Sequence, residues 1–232
     1  WVISSMDDQT FGTRRAVAAW RKSKPMNTDN TLTSELDHWI FLKLPKSMKQ
    51  GCTYTVCVPE GLGSDVLQSS VTFDVWTSQS EAVHVNIIGY SPKETVKAAD
   101  LYLWLGDGGQ RDYSAFEGNK VYLYNVDTGT KTKVGSVKFW KEASEHPNEA
   151  GEKNLTGSDV WTVDFKYSKP GRYRLVVDGV GCSMDFYISD DVYFEPYHYS
   201  LRGYYYMRLG EPIDPAITPV PRQPMFIPEV DP

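Results

Sequence analysis

The acidic and histidine side chains are the first candidates for chemistry, and their spacing argues against a catalytic or metal site. Two carboxylates that act as acid and base must face one another across a substrate. Asp190, Asp191 and Glu195 are instead neighbours at a predicted strand end, where acids are usually solvated. The four histidines are scattered along the chain: His38, His84, His146 and His198. We therefore predict no catalytic residue, no metal and no cofactor. The one alternative is a calcium ion bound by the acidic side chains of the turns, because calcium prefers oxygen ligands and loops can supply them.

The three cysteines predict free thiols. Cys52 and Cys57 lie in one strand-like run, an odd number of positions apart, so their side chains face opposite sides and cannot pair within that strand. Cys182 reaches either of them only through the fold. Because no Cys/His cluster has zinc spacing, buried free thiols are the favoured interpretation.

Composition indicates a globular β protein. The chain has 232 residues, of which 41% are hydrophobic and 13% aromatic, enough for one large all-β domain or two small sandwiches. The net charge of −6 disfavours a nucleic-acid partner. No apolar run is long enough to insert into a membrane, and the chain begins at Trp1, as a mature or trimmed fragment would.

Apolar and polar residues alternate with a period of two, which predicts short antiparallel strands. Nine segments show this pattern: 37–44, 51–58, 70–76, 82–88, 96–104, 120–126, 159–165, 171–177 and 183–189. The polar stretch 141–159 interrupts the pattern and is predicted to be a solvated loop. Strands at this spacing, without alternating helices, predict an all-β fold of antiparallel β-sandwiches.

A faint internal repeat predicts two immunoglobulin-like modules. In "GCTYTVCV" (51–58) and "PGRYRLVV" (170–177), a turn glycine precedes a tyrosine that opens a strand. Sandwiches of this type place such a tyrosine at a corner, with its hydroxyl bonded to upstream backbone, so Tyr54 and Tyr173 are predicted structural residues. We predict a first module over 1–80 that is incomplete at its start, a second over 81–192, and a helix with a proline-rich tail over 193–232.

The tryptophans divide into core and surface candidates. Trp39, Trp104 and Trp161 lie in alternating strands and are predicted to fill sandwich cores. Trp76 lies at a strand end and Trp140 beside the polar loop. These two are the candidate exposed rings for stacking on a glycan.

Four stretches, taken in order, resemble the N-terminal immunoglobulin-like domain of glycoside hydrolase family 9, the cellulase-type enzymes. They are "VHVNIIGYSPKETVKAA" with Asn86 and Gly89, "VWTVDF…PGRYRLVVDG", "SMDFYISDDVY" and "SLRGYYYMRLGEPI". They cover a little over half of the chain and leave residues 1–80 outside. The resemblance implies that Asn86 and Gly89 are structural. The Asp-Ala-Gly-Asp motif that carries the family's catalytic aspartates is absent, so the resemblance implies a region in front of the catalytic barrel.

The last matching stretch predicts a helix over 200–209, the only substantial helix, with Ser200 as N-cap and Gly210 just after its end. We expect one aromatic face to pack on the second module and at least one of the three tyrosine rings to remain exposed. The proline-rich tail is expected to run extended. In the complete enzyme, the resemblance implies that this helix contacts the catalytic domain through Leu201, Tyr204, Tyr205, Tyr206 and Arg208.

Two functions remain open. The first is a non-catalytic accessory region of a secreted or cell-surface hydrolase of β-1,4-glucan, whose partners are its own catalytic domain and, through it, a polysaccharide. The second is a non-enzymatic carbohydrate-binding or adhesive sandwich protein.

Overall fold

The protein is described here by a computed structural model, which covers residues 1–28, 31, 34–143, 157–208 and 210–224. Four predicted features lie wholly or partly outside these residues: His146, the polar loop 141–159, position 209 of the helix, and the tail from 225 to 232. Elsewhere the chain forms antiparallel sheets and one α-helix, α1, at Phe194–Tyr206. This confirms the all-β prediction.

Six strands lie in the predicted first module. They are Val2–Ser4 (β1), Thr13–Arg15 (β2), Ala18–Thr28 (β3), Ser34–Lys43 (β4), Thr53–Cys57 (β5) and Gln68–Thr72 (β6). One sheet has the order β2-β1-β5-β6, and β3 and β4 form a long separate two-stranded ribbon. The core is small: Ile3, Phe11 and Tyr54 are fully buried, and Leu42 of the ribbon packs against them.

Nine strands lie in the predicted second module. They are Val83–Val85 (β7), Ala99–Leu101 (β8), Lys120–Asn125 (β9), Lys131–Ser136 (β10), Lys138–Lys141 (β11), Val160–Thr162 (β12), Gly171–Val177 (β13), Gly181–Cys182 (β14) and Phe186–Ile188 (β15). One sheet has the order β10-β9-β13-β14, with β15 also paired to β13, and the other has the order β11-β12-β8-β7. Both sheets contribute to one buried core, for example Leu123 and Leu175 from the first and Leu101 from the second. The alternating strand pattern directs these side chains inward.

Three buried tyrosines tie loops to the sheets through their hydroxyl groups. The Tyr173 hydroxyl donates to the carbonyl oxygen of Lys169 at 3.3 Å, four residues upstream. The Tyr54 hydroxyl accepts from the Lys49 backbone N–H at 2.8 Å and donates to Asp8 Oδ2 at 2.9 Å. Both bonds to upstream backbone have the form expected of a tyrosine corner.

Tyr90 is the third such residue. It lies in the stretch "VHVNIIGYSPKETVKAA" that carries the resemblance, but no bond of its hydroxyl was predicted. Its hydroxyl accepts from the Asn86 backbone N–H at 2.9 Å and donates to the Ala98 carbonyl oxygen at 2.7 Å. Asn86 Oδ1 accepts from the Ile88 N–H, which shapes the same turn. Gly89 has φ +116°, and a Cβ there would lie 2.4 Å from the Tyr187 carbonyl oxygen, so only glycine fits.

The described parts of the two predicted modules touch near their boundary and along the ribbon. Near the predicted boundary, the Cys182 N–H donates to the Ser78 carbonyl oxygen and the Ser80 N–H donates to the Cys182 carbonyl oxygen, both at 2.9 Å. On another side, the ribbon lies on the turn 106–109, where Asp107 Oδ1 accepts from the Arg21 N–H at 2.7 Å. The Trp20 ring fills the space over Gly108.

Two of the three predicted core tryptophans are not core residues. Trp161 is 2% exposed, as predicted, and its indole N–H donates to Glu117 Oε1 at 3.0 Å. Trp39 instead lies half-buried on the ribbon, with Lys24 Nζ 4.4 Å from its ring centroid, and Trp104 is 42% exposed. Trp39 lies on a two-stranded ribbon, and Trp104 forms only an isolated bridge with Gln110 beyond the end of β8. Cys182 is buried and free, whereas the free thiols of Cys52 and Cys57 are only half-buried.

Candidate docking surface

Helix α1 begins earlier than its capping pattern predicted. It starts at Phe194, with Tyr193 at the N-cap, so the prediction of Ser200 as N-cap is wrong. Pro196 lies in the first turn, where a missing N–H costs no helical hydrogen bond. Ser200 is therefore an interior residue, and its Oγ donates back to the Pro196 carbonyl oxygen at 2.7 Å. The helix is the only α-helix among the described residues.

One face of α1 carries an uncovered row of large side chains. Phe194, Tyr197, Leu201 and Tyr204 follow the spacing i, i+3, i+7 and i+10, which aligns them along one side of a helix. Their exposed fractions are 66%, 63%, 49% and 73%. We call these four residues the exposed stripe. The expectation that at least one tyrosine ring is exposed is confirmed by Tyr204.

The accompanying expectation, that one aromatic face of α1 packs on the second module, is wrong. No residue of α1 is buried. The half-buried rings of Tyr205 and Tyr206 face the tail instead. The Tyr206 hydroxyl is hydrogen-bonded to Thr218 Oγ1, and the Tyr205 hydroxyl lies 3.4 Å from the Asp214 N.

Up to residue 224 the tail therefore folds back towards the helix, and the expectation of an extended tail is wrong for these residues. Ile213 pairs with Arg222 through backbone hydrogen bonds, which close the intervening residues into a loop. Ile213 and Thr218 are buried in it. The Arg222 guanidinium donates to the Tyr206 carbonyl oxygen at 3.0 Å and also to that of Arg208. It thus bonds carbonyls at the end of α1 that have no helical partner. The prolines restrict the backbone, but these contacts decide its direction.

The start of α1 is tied to the second module by Tyr193. Its hydroxyl lies 2.8 Å from Glu94 Oε1 and 3.3 Å from the Gly89 carbonyl oxygen. The turn that it touches exposes Ile87 and Ile88, at 67% and 46%. Ile87 also lines an open groove of about 410 Å³ that includes the exposed Met184. Exposed apolar residues therefore lie on the turn to which the helix is tied as well as on the helix itself.

The two candidate glycan-stacking rings differ. Trp76 is half-buried: its ring lies 5.4 Å from that of Tyr122 and 6.0 Å from that of Tyr124, with Lys131 Nζ 4.2 Å from its centroid. The prediction that Trp76 is an exposed ring is therefore wrong. Trp140, on β11, is 60% exposed.

Among the residues that the structure describes, the acids and histidines are not brought together into one site. Asp190 forms an exposed ion pair with Lys93 at 3.5 Å, and Asp191 accepts from Ser189. Of the residues that the structure describes, no three acidic, histidine or cysteine side chains are placed to share a metal ion. His84 stacks on Tyr102 with ring centroids 4.0 Å apart, and burial lowers its pKa.

Sequence reasoning named Leu201, Tyr204, Tyr205, Tyr206 and Arg208 as contact residues but missed Phe194 and Tyr197. The sequence shows their helical spacing to Leu201, but a helix that begins at Ser200 does not include them. Arg222 and Thr218 carried no local signal, because their role depends on the folded-back tail.

No protein-family model matches the chain, and no curated protein matches it. Among solved structures, it is similar to the crystal structure of a metagenome-derived glycoside hydrolase family 9 endoglucanase, with 27% sequence identity and a TM-score of 0.43. The match covers 60% of this chain and 23% of the enzyme's chain, so it spans less than a quarter of that enzyme. No α-helix in the described part of the chain has the length and hydrophobicity to cross a membrane.

Proposed function

We propose that this chain is the non-catalytic front region of a glycoside hydrolase of the family 9 type, acting on β-1,4-glucan, and that it supports the catalytic domain. Its two modules would be immunoglobulin-like sandwiches, and the enzyme would act outside the cytoplasm. The observation that carries the proposal is the exposed stripe. It lies on the helix whose sequence resembles the family's first helix beyond the sandwich.

The stripe has the character of an unfilled interface. Isolated exposed apolar residues are ordinary, but four large ones in line on one helix face form a contiguous patch, and such patches mark contact sites. The spacing suits packing against another helix. Tyrosine is also among the residues that contribute most to interface energy. The catalytic domain is the partner that the sequence resemblance implies for this helix.

The coding sequence beyond residue 232 gives the first test. It should encode a large helical region that contains an Asp-Ala-Gly-Asp motif. A stop codon or further sandwich modules would refute the proposal. In addition, the purified chain alone should release no reducing ends from soluble cellulose derivatives, and activity that follows it through purification would contradict a non-catalytic role.

A matched pair of variants tests the docking face in the full natural protein. Tyr197 and Tyr199 are 63% and 62% exposed, but they lie on opposite sides of α1. We expect Tyr197→Ala to lower the thermal midpoint and the activity on carboxymethylcellulose, because it removes an interface ring. Tyr199→Ala should change neither. Equal effects of the two substitutions would mean that the stripe is not the contact face.

Exposed Trp140 favours a second candidate, direct carbohydrate binding. Trp140 is 60% exposed, and an uncovered indole can stack on a sugar ring. Affinity electrophoresis in gels that contain β-glucan tests this candidate. Retardation that disappears in Trp140→Ala and persists in Trp76→Ala would support glycan binding at this edge strand.

A further inference from the structure

A small concavity lies beside the exposed stripe, between α1 and the folded-back tail. It has a volume of about 350 Å³ and is lined by His198, Leu201, Arg202, Tyr205 and Ile217. We call it the socket. Leu201 belongs to both the socket and the stripe. Anything that lies along the stripe therefore passes the mouth of the socket.

The socket combines apolar walls with the positive charge of Arg202. Leu201 and Ile217 are 49% and 63% exposed. Arg202 is half-buried and is held in place, because its Nε donates to the Tyr206 hydroxyl at 2.8 Å. In the part of the chain that the structure describes, no carboxylate pairs with Arg202 and its Nη groups make no hydrogen bond. The tail's Asp214 uses Oδ1 to accept from the Ala216 N–H instead.

This arrangement defines the chemistry of an occupant. A guanidinium with free Nη groups matches a carboxylate, because its planar N–H donors fit two oxygens at once. Arg202 is also pre-positioned by Tyr206, which reduces the side-chain entropy lost on binding. The adjacent stripe, with its helical spacing, fits the apolar face of a second helix.

We infer that the partner of this surface is an amphipathic helix that lays apolar residues along the exposed stripe and inserts one Asp or Glu carboxylate into the socket. The inference rests on the proposed function, since the partner helix would belong to the docked domain. Arg202 is then the residue that selects the partner's register. The stripe supplies apolar contact that is indifferent to charge.

The test uses the chain of 232 residues and three labelled helical peptides. The peptides share one leucine face and differ only at a single position beside it, which is Glu, Gln or Lys. Binding is measured by fluorescence anisotropy at low ionic strength. We expect the Glu peptide to bind about tenfold more tightly than the Gln peptide, the effect of one charged hydrogen-bonded pair, and the Lys peptide to bind most weakly.

Variants separate the socket from the stripe. Arg202→Gln should make the Glu and Gln peptides equal, and Arg202→Lys should retain part of the preference, because it keeps the charge but loses the planar fork. Tyr204→Ala should weaken all three peptides alike, and Tyr199→Ala should change none. Circular dichroism and the affinity of the Gln peptide check that the Arg202 variants keep α1 and the tail folded.

Three results would overturn the inference. Equal binding of Glu and Gln peptides through the stripe would remove the socket's role and leave the proposed docking intact. A Glu preference that survives in Arg202→Gln would place the charge contact elsewhere. Failure of all three peptides to bind would also reject the inference, whereas the coding sequence beyond residue 232 decides the proposed function separately.

Discussion

Replacing Tyr90 by phenylalanine isolates one hydroxyl that joins two loop segments of the second module. The substitution keeps the ring, which makes edge-to-face contacts with Phe165 and Phe186 at 5.4 and 5.3 Å. It removes the acceptor of the Asn86 N–H and the donor to the Ala98 carbonyl oxygen. No cavity larger than one oxygen atom is created. The loss of stability therefore measures the hydrogen bonds.

The expected loss follows from the number and geometry of the bonds. Each intramolecular hydrogen bond contributes about 0.5–1.5 kcal/mol net, so two short bonds give about 1–3 kcal/mol. Tyr173→Phe in the same module is the matched comparison. The Tyr173 hydroxyl donates over 3.3 Å to the Lys169 carbonyl oxygen, with that of Pro170 an alternative at 3.4 Å, so its backbone bonds are longer than those of Tyr90. Its loss should be about 0.5–1.5 kcal/mol.

Urea unfolding of the wild type and the two variants measures these differences through the transition midpoint. The slope of the transition must stay constant, because a changed slope would indicate an altered unfolded or native state. Hydrogen exchange at the Asn86 amide gives an independent reading and should accelerate in Tyr90→Phe alone. If Tyr90→Phe costs no more than Tyr173→Phe, the two bonds of Tyr90 do not stabilise this turn and the reasoning is refuted.

Three further predictions concern pH and backbone geometry. Burial raises the pKa of both Tyr90 and Tyr113 to about 12 from 10.0, so the folded state holds these protons more tightly than the unfolded state does. The free energy of unfolding should therefore decline as pH rises from 10 towards 12. In a series of unfolding measurements at alkaline pH, Tyr113→Phe should make that decline less steep, and an unchanged slope would contradict this prediction. The hydrogen bond from Lys49 to Asp8, followed by the one from Thr10, holds the Asp8 pKa well below its usual value of 3.8. The contribution of ionised Asp8 to stability should therefore be complete above pH 3.8 and should decrease as the pH falls further. Lys49→Met should move the midpoint of acid unfolding to higher pH, and an unchanged midpoint would show that the ion pair contributes nothing. Gly118→Ala adds a Cβ in open space at φ +81° and should cost about 1–2 kcal/mol for the left-handed backbone alone. Gly89→Ala should destabilise the protein by more, because its Cβ also meets the Tyr187 carbonyl oxygen. Equal thermal midpoints for the two variants would disprove the clash.

The sequence by itself determined the features that depend on short-range chemistry. Alternation of apolar and polar residues places Leu123 and Leu175 on the inner face of their strands, since successive side chains of a strand point to opposite sides. The glycine before Tyr54 and the one before Tyr173 mark turns from which both hydroxyls reach back to nearby backbone. These relations span only a few residues, and local conformational preference is enough to establish them.

The limits of helix α1 show where local preference was insufficient. Ser200 is a good capping residue in isolation, but a hydroxyl inside a helix can bond to the carbonyl four residues back, as it does to Pro196. A proline in a first turn does not stop a helix. The capping pattern was therefore compatible with two starts, and the longer helix brought Phe194 and Tyr197 into line with Leu201 and Tyr204.

Only the tertiary structure decided which surfaces are covered. The same alternating pattern leaves Trp161 buried and Trp104 42% exposed, because burial depends on what lies opposite a strand and not on the strand itself. In the same way, Arg222 bonds to the end of α1 and Thr218 to Tyr206 only because the tail turns back through contacts between residues distant in the chain. The socket at Arg202 exists between those two segments, so no single stretch of sequence contains it.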